Sequence, residues 1–161
     1  MISVVIPTLN SGPALSATLA ALVPAAVDGL VKELLVVDRG STDATLEIAD
    51  DAGARIFRGQ GMANACAAAR GDWLLLLRPG LVPVSGWEPA VARHLGGDWA
   101  RAGCFRLSRD GRRPAWRQGL KGDESLLVSR RLYDEVGAGE GPDLLRRLRG
   151  RIDRLGALAI R

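Results

Sequence analysis

ISVVIPTLN (residues 2–10), followed by ELLVVDRGSTDATLEIADDAGARI (residues 33–56), decides the fold. Residues 2–7 form a short β-branched run of the kind that fills a buried strand. A polar exit follows, and Pro13 then stands where the first turn of a helix tolerates a residue without an amide proton. That helix is expected to run to about Leu22. Residues 34–38 read as the second strand. Ser41, Thr42 and Asp43 offer caps for a helix through Ala52, which Gly53 closes. Residues 54–57 are a third strand, residues 62–70 an alanine-rich helix, and residues 71–77 (GDWLLLL) a fourth strand, ended by Pro79 and Gly80. An apolar run in that strand implies cover on both faces. Strands alternating with helices of this length predict an α/β fold with a mostly parallel sheet.

Beyond residue 80 regularity falls. Ser85 and Glu88 have the spacing of a capping box for a helix of about a dozen residues ending near His94. CFRLS (104–108) and RRPAW (112–116) flank Asp110 and Gly111, a pairing that favours a tight hairpin, so a small antiparallel flap is expected there. Leu144, Leu145, Leu148, Ile152 and Leu155 recur at helical spacing, which predicts a helix over 142–155 with this stripe in the core. No repeat, low-complexity segment or linker divides the chain, so residues 1–161 are read as one domain. A domain of this length can bury roughly 70% of the surface its unfolded chain exposes.

Bulk composition narrows the function classes. The chain is 47% hydrophobic and 25% charged, within the ordinary globular range. Cys66 and Cys104 are too few for a disulfide framework or a CxxC metal knot, and each reads as a small core residue. The opening residues lack the basic region of a secretory leader, and the longest apolar runs, such as residues 73–77, fall far short of a membrane span. A cytoplasmic location is expected. Net charge is +4, but residues 1–100 carry 7 basic and 10 acidic side chains, whereas residues 101–161 carry 15 and 8. The basic second half reads first as solvated arginine. Its functional readings are an anionic acceptor, peripheral contact with an acidic membrane face, or a protein partner. Nucleic acid is not expected, because stacking aromatics are not interleaved with the cations.

In a doubly wound sheet the ligand crevice lies beyond the carboxyl ends of the strands. Those ends supply the candidate ligand-binding set: Pro7, Thr8 and Asn10 from the first, Asp38 and Ser41 from the second, Arg78 from the fourth. An aspartate at a strand tip can accept hydrogen bonds from a base imide or a ribose hydroxyl. The bland alternatives are turn and helix-cap roles for Asp38, Thr8 and Asn10. No glycine-rich, lysine-bearing phosphate loop follows the first strand, which argues against a nucleotidyltransferase.

SVVIPTLN, ELLVVDRGSTDATLEIADDAGARI and NACAAARGDWLLLL, taken in order, resemble the successive signatures of family 2 glycosyltransferases. The resemblance covers residues 2–77 closely. It implies a GT-A-like (Rossmann-like) domain that binds a nucleoside-diphosphate sugar, with Thr8 and Asp38 on the nucleotide. It also implies an Asp-x-Asp pair after the fourth strand to hold a divalent cation. Here Arg78-Pro79-Gly80 stands at that place, with no carboxylate for Mg²⁺ or Mn²⁺. Arginine can bind phosphate oxygens through its guanidinium fork, so one reading of Arg78 is a diphosphate held without metal; the other is a salt bridge near Asp38 or Asp72 at a site that has decayed.

GDESLLVSRRLYDEVGAGEGPDLLRRLRG (122–150) resembles, more loosely, the acceptor segment of a short bacterial branch of that family. Gly122 and Asp123 match its turn, with Glu124 in place of glutamine. Glu140 and Gly141 occupy its acidic pair, so glycine stands at the usual base position. Inverting transfer needs a carboxylate within hydrogen-bond reach of the acceptor hydroxyl. Glu140 and Asp123 are the candidate catalytic residues. Trp73 is expected in the core, His94 as structural or exposed, and Trp116 as a candidate sugar platform. Two functions follow: a glycosyltransferase with an unknown acceptor, or an inactive relative that binds a nucleotide or a protein.

Overall fold

The computed structural model describes residues 1–108 and 125–160. The expected Asp110–Gly111 turn, Trp116 and Asp123 lie outside them.

The elements run in chain order as β1 (Ile2–Thr8), α1 (Gly12–Val27), β2 (Val31–Asp38), α2 (Thr45–Asp51), β3 (Arg55–Arg58), α3 (Met62–Ala68) and β4 (Trp73–Leu77). There follow β5 (Val82–Pro83), α4 (Glu88–Leu95), β6 (Ala102–Ser108), β7 (Ser125–Ser129), α5 (Arg130–Glu135), α6 (Gly141–Arg147) and β8 (Ile152–Ile160). They build one eight-stranded sheet of order β3-β2-β1-β4-β7-β6-β8-β5. The first four strands are mutually parallel. β7 runs against both β4 and β6, β8 lies parallel to β6, and β5 closes the far edge antiparallel to β8.

Strand alternation divides the core in two. Ile2, Val4 and Ile6 of β1 join Val36, Trp73, Leu75, Leu77 and Leu127 on one face, under Leu15, Leu22 and Ala25 of α1, Ala49 of α2 and Val91 of α4. Val5, Leu35, Val37, Leu74, Leu126 and Val128 face the other way, under Met62 and Cys66 of α3, Leu132 and Tyr133 of α5, and Leu144. This is why residues 74–77 are leucine throughout: successive side chains enter opposite cores, and burying each is worth about 1.5–3 kcal/mol. Gly71 is required just before β4. A Cβ there would lie 2.8 Å from the Ser3 amide nitrogen and 2.9 Å from the Met1 carbonyl.

In the first 77 residues every expected strand and helix forms. α1 is five residues longer than expected, through Pro24, β2 starts earlier, at Val31, and α3 ends at Ala68. α2 starts at Thr45, with Ala44 rather than Ser41, Thr42 or Asp43 at its N-cap. Two later elements differ. The Ser85–Glu88 capping box does not form: α4 has eight residues, Trp87 is its N-cap, and no side chain caps it. The helix expected over 142–155 is α6 followed by a strand. Arg149 N–H donates to the Arg146 carbonyl and Arg151 N–H to the Leu148 carbonyl, and Gly150 takes φ +82°, which turns the chain out of the helix. Leu155, Ala157 and Ala159 are then buried at every second position, the period of a strand. The stripe is buried or half-buried as expected, but through two elements and in two cores.

Candidate functional site

The strand order places β1 between β2 and β4. The chain steps outward from β1 to β2 to β3, then returns to the other side of β1 as β4, so the connections diverge between β1 and β4. At such a switch point the helices leave on opposite faces and a crevice opens beyond the strand ends. A cleft of about 460 Å³ lies there. Pro7, Thr8 and Leu9 of the β1 exit form one wall, and Leu76, Leu77, Arg78 and Pro79 of the β4 exit another. Arg39, at the β2 exit, and Glu140, Gly141, Pro142, Leu144 and Leu145, at the start of α6, complete the mouth. Leu126 lines it because β7 runs antiparallel to β4 and pairs Leu126 with Leu76.

The two exits from β1 and β2 are stitched together by side chains. Thr8 Oγ1 donates to Asp38 Oδ1 at 3.2 Å, and Arg39 N–H donates to the Thr8 carbonyl at 2.9 Å. The Asp38 carboxylate also accepts from the amides of Gly40 (3.0 Å) and Ser41 (3.1 Å) and from the Ser41 hydroxyl (2.5 Å). Burial pushes the Asp38 carboxyl up, but these donors outweigh it and hold the group below the usual carboxylate range. Asn10, at φ +48°, donates its N–H to Ser41 Oγ (2.9 Å) and accepts from Thr42 N–H on Oδ1 (2.8 Å). Asp43 accepts from Gly12 N–H at 3.1 Å and from Thr45 N–H at 3.0 Å, serving the starts of both α1 and α2.

The sequence-derived candidates therefore separate. Pro7, Thr8, Arg78 and Glu140 line the cleft. Asp38, Asn10 and Ser41 are not among the lining residues; they are joined to one another and to Thr8 and Thr42 by the hydrogen bonds just described. Asp123 is outside the described residues. Sequence reasoning passed over Arg39, although it directly follows Asp38 in the turn, and it treated Leu144 and Leu145 only as core.

The cysteines and His94 behave as expected. Cys66 and Cys104 are 1% and 4% exposed, and burial pushes the Cys66 thiol up to about 11, which leaves little thiolate. The His94 ring packs edge-on against buried Trp73, with Nε2 3.2 Å from the Arg101 carbonyl.

The model of glycosyl transferase family 2 matches residues 3–121, which include the exits of β1, β2 and β4 but not the lining residues from Leu126 onward. The chain belongs to this family. Glucosyl-3-phosphoglycerate synthase of Mycolicibacterium paratuberculosis is 35% identical over 95 residues, which take in 50% of this chain and 29% of that protein. The crystal structure of the Mycobacterium tuberculosis synthase with Mn²⁺, UDP and glucosyl-3-phosphoglycerate superposes with a TM-score of 0.69 at 27% identity. That match covers 96% of this chain and 68% of the other. A second mycobacterial crystal structure gives 0.74 at 26% identity, covering 99% and 66%. The chain thus spans under a third of the curated relative and about two thirds of the solved ones. The shared architecture is the GT-A fold of nucleotide-sugar transferases.

Crystal structures of the Mycobacterium tuberculosis synthase contain Mn²⁺ or Mg²⁺ together with UDP. A hard divalent cation needs several oxygen ligands, usually including carboxylates. Among the described residues no three His, Cys, Asp or Glu side chains gather into such a set. The cleft lining offers one carboxylate, Glu140, and it is already paired with Arg39 at 2.7 Å. The charged side chain that the β4 exit contributes to the lining is Arg78, a cation. The described donor set does not fit a divalent cation.

Proposed function

We propose that this chain transfers a sugar from a nucleoside-diphosphate donor to an acceptor hydroxyl, with Arg78 meeting the diphosphate where relatives use a metal. The observation that carries this reading is the cleft at the β1/β4 switch point, with Thr8 on one strand exit and Arg78 on the other. Thr8 and Pro7 present the nucleoside wall, and Asp38, Asn10 and Ser41 keep that wall in shape. A guanidinium can hold phosphoryl oxygens in bidentate fashion and stabilise the charge that grows on the departing diphosphate. Glu140 is the carboxylate on the lining able to take the acceptor proton as the hydroxyl attacks the anomeric carbon. Asp123 remains its sequence-level alternative, and separate E140Q and D123N variants tell the two apart by which one loses turnover.

Transfer of labelled sugar from a panel of nucleotide sugars, with and without EDTA, tests the reading. Turnover that persists in EDTA supports it. Donor binding that appears only with Mn²⁺ or Mg²⁺ contradicts the role given to Arg78. A second reading, a nucleotide-binding relative without turnover, is favoured by the engagement of Glu140 with Arg39. Saturable nucleotide binding with no transfer from any donor would select it.

A further inference from the structure

Glu140 is not spare in the cleft. Its Oε2 accepts a 2.7 Å hydrogen bond from Nη2 of Arg39, a residue 101 positions earlier in the chain. Both side chains line the cleft and are about half exposed, at 48% and 52%. Arg39 is anchored by its backbone: its N–H is bound to the Thr8 carbonyl, so the guanidinium springs from the wall itself. Glu140 occupies the N-cap position of α6, yet its side chain makes no cap hydrogen bond. Glutamate is not among the favoured N-cap residues, and Pro142 in the first turn has no amide to offer. The carboxylate reaches Arg39 instead.

An ion pair this exposed stabilises little, whereas a phosphate offers a guanidinium more charge than a carboxylate does, with oxygens that fit the fork equally well. We infer that Arg39 is a phosphate-binding residue of the cleft and that Glu140 holds its place until a phosphorylated ligand arrives. The inference rests on the sugar-nucleotide reading above and deepens it. A diphosphate entering the cleft meets guanidiniums at both the β2 and the β4 exits. No covalent bond changes in the exchange. Arg39 moves its N–H donors from the carboxylate to a phosphoryl oxygen, and Glu140 is left as a bare acceptor facing the cleft. Diphosphate binding would thereby uncover the proton acceptor.

Calorimetric titration separates this from a purely structural ion pair. The probes are UDP, GDP, CDP and ADP, of which the tightest binder is carried forward together with its unphosphorylated nucleoside. R39A is expected to weaken the diphosphate roughly tenfold and to leave the nucleoside unchanged. E140Q removes the competitor and should tighten the diphosphate. In R39A/E140Q that gain should disappear, because the two residues act on each other. R39K keeps the charge and loses the fork, and it carries the test if R39A melts at a markedly lower temperature. Wild-type binding with unchanged affinity in R39A, or an E140Q gain that persists without Arg39, overturns the inference while leaving the donor reading intact. If the wild type binds none of the four diphosphates, the donor reading fails and this inference falls with it.

Discussion

Asp38, 2% exposed, accepts from one neighbouring threonine, from two backbone amides and from a serine hydroxyl. Its carboxyl is held below the ordinary range, so its stabilisation is fully present above about pH 4 and is lost as pH falls through the lower folded value. D38N should cost about 1–3 kcal/mol at pH 7, read by urea unfolding, with the gap to wild type narrowing below about pH 4. The sequence marked Asp38 as either a ligand residue or a turn aspartate. Its oxygens are engaged by the turn, and only the fold could show that, because the distinction depends on where the amides of Gly40 and Ser41 point. At Gly71 the limit is steric. An added methyl meets the backbone of the neighbouring strand start, so G71A should lose about 1–3 kcal/mol by the same measurement.

Elements were legible where one signal dominated. In residues 2–77 each strand is a compact apolar run and each helix is punctuated by proline, glycine or a capping group, so local chemistry and tertiary pattern agree. The α6–β8 region failed for a nameable reason. Leu144, Leu145, Leu148, Ile152 and Leu155 fit a helix, but Leu155, Ala157 and Ala159 fit a strand equally well, and Gly150 between them decides. Its φ of +82° with open space around it predicts that G150A folds with the same far-ultraviolet spectrum and is less stable by about 1 kcal/mol. A larger loss with increased helicity would show that the glycine alone keeps β8 out of the helix. Helix ends were also hard to read because distant arginines supply their partners. Arg130 donates to the Cys66, Ala67 and Ala69 carbonyls at the end of α3, and Arg147 to those of Val136, Gly137 and Ala138 after α5. Part of the basic second half therefore works inside the fold.

At the scale of the whole molecule, four carboxyls among the described residues are held low and tie separate parts of the fold together. Hydrogen bonds from Arg70 N–H, Ser3 and Arg55 outweigh burial at Glu33, and those on Asp38 do likewise. The Thr45 hydroxyl lowers Asp43, and Arg101 lowers Asp153. Each depressed group adds stability above its unfolded value and gives it up on acidification. The melting temperature should hold between pH 7 and 5 and fall as pH drops from about 4 to 3; a flat profile would mean that these contacts do not couple to folding. The same strands converge on the cleft, and the account depends on what that cleft binds. The most direct test is titration of nucleoside diphosphates into the protein in EDTA, repeated with R78A. Saturable binding to the wild type, weakened roughly tenfold in R78A, is the expected result. Absence of all binding, or equal affinity in the variant, would contradict the claim that Arg78 at the β4 exit holds the donor's diphosphate.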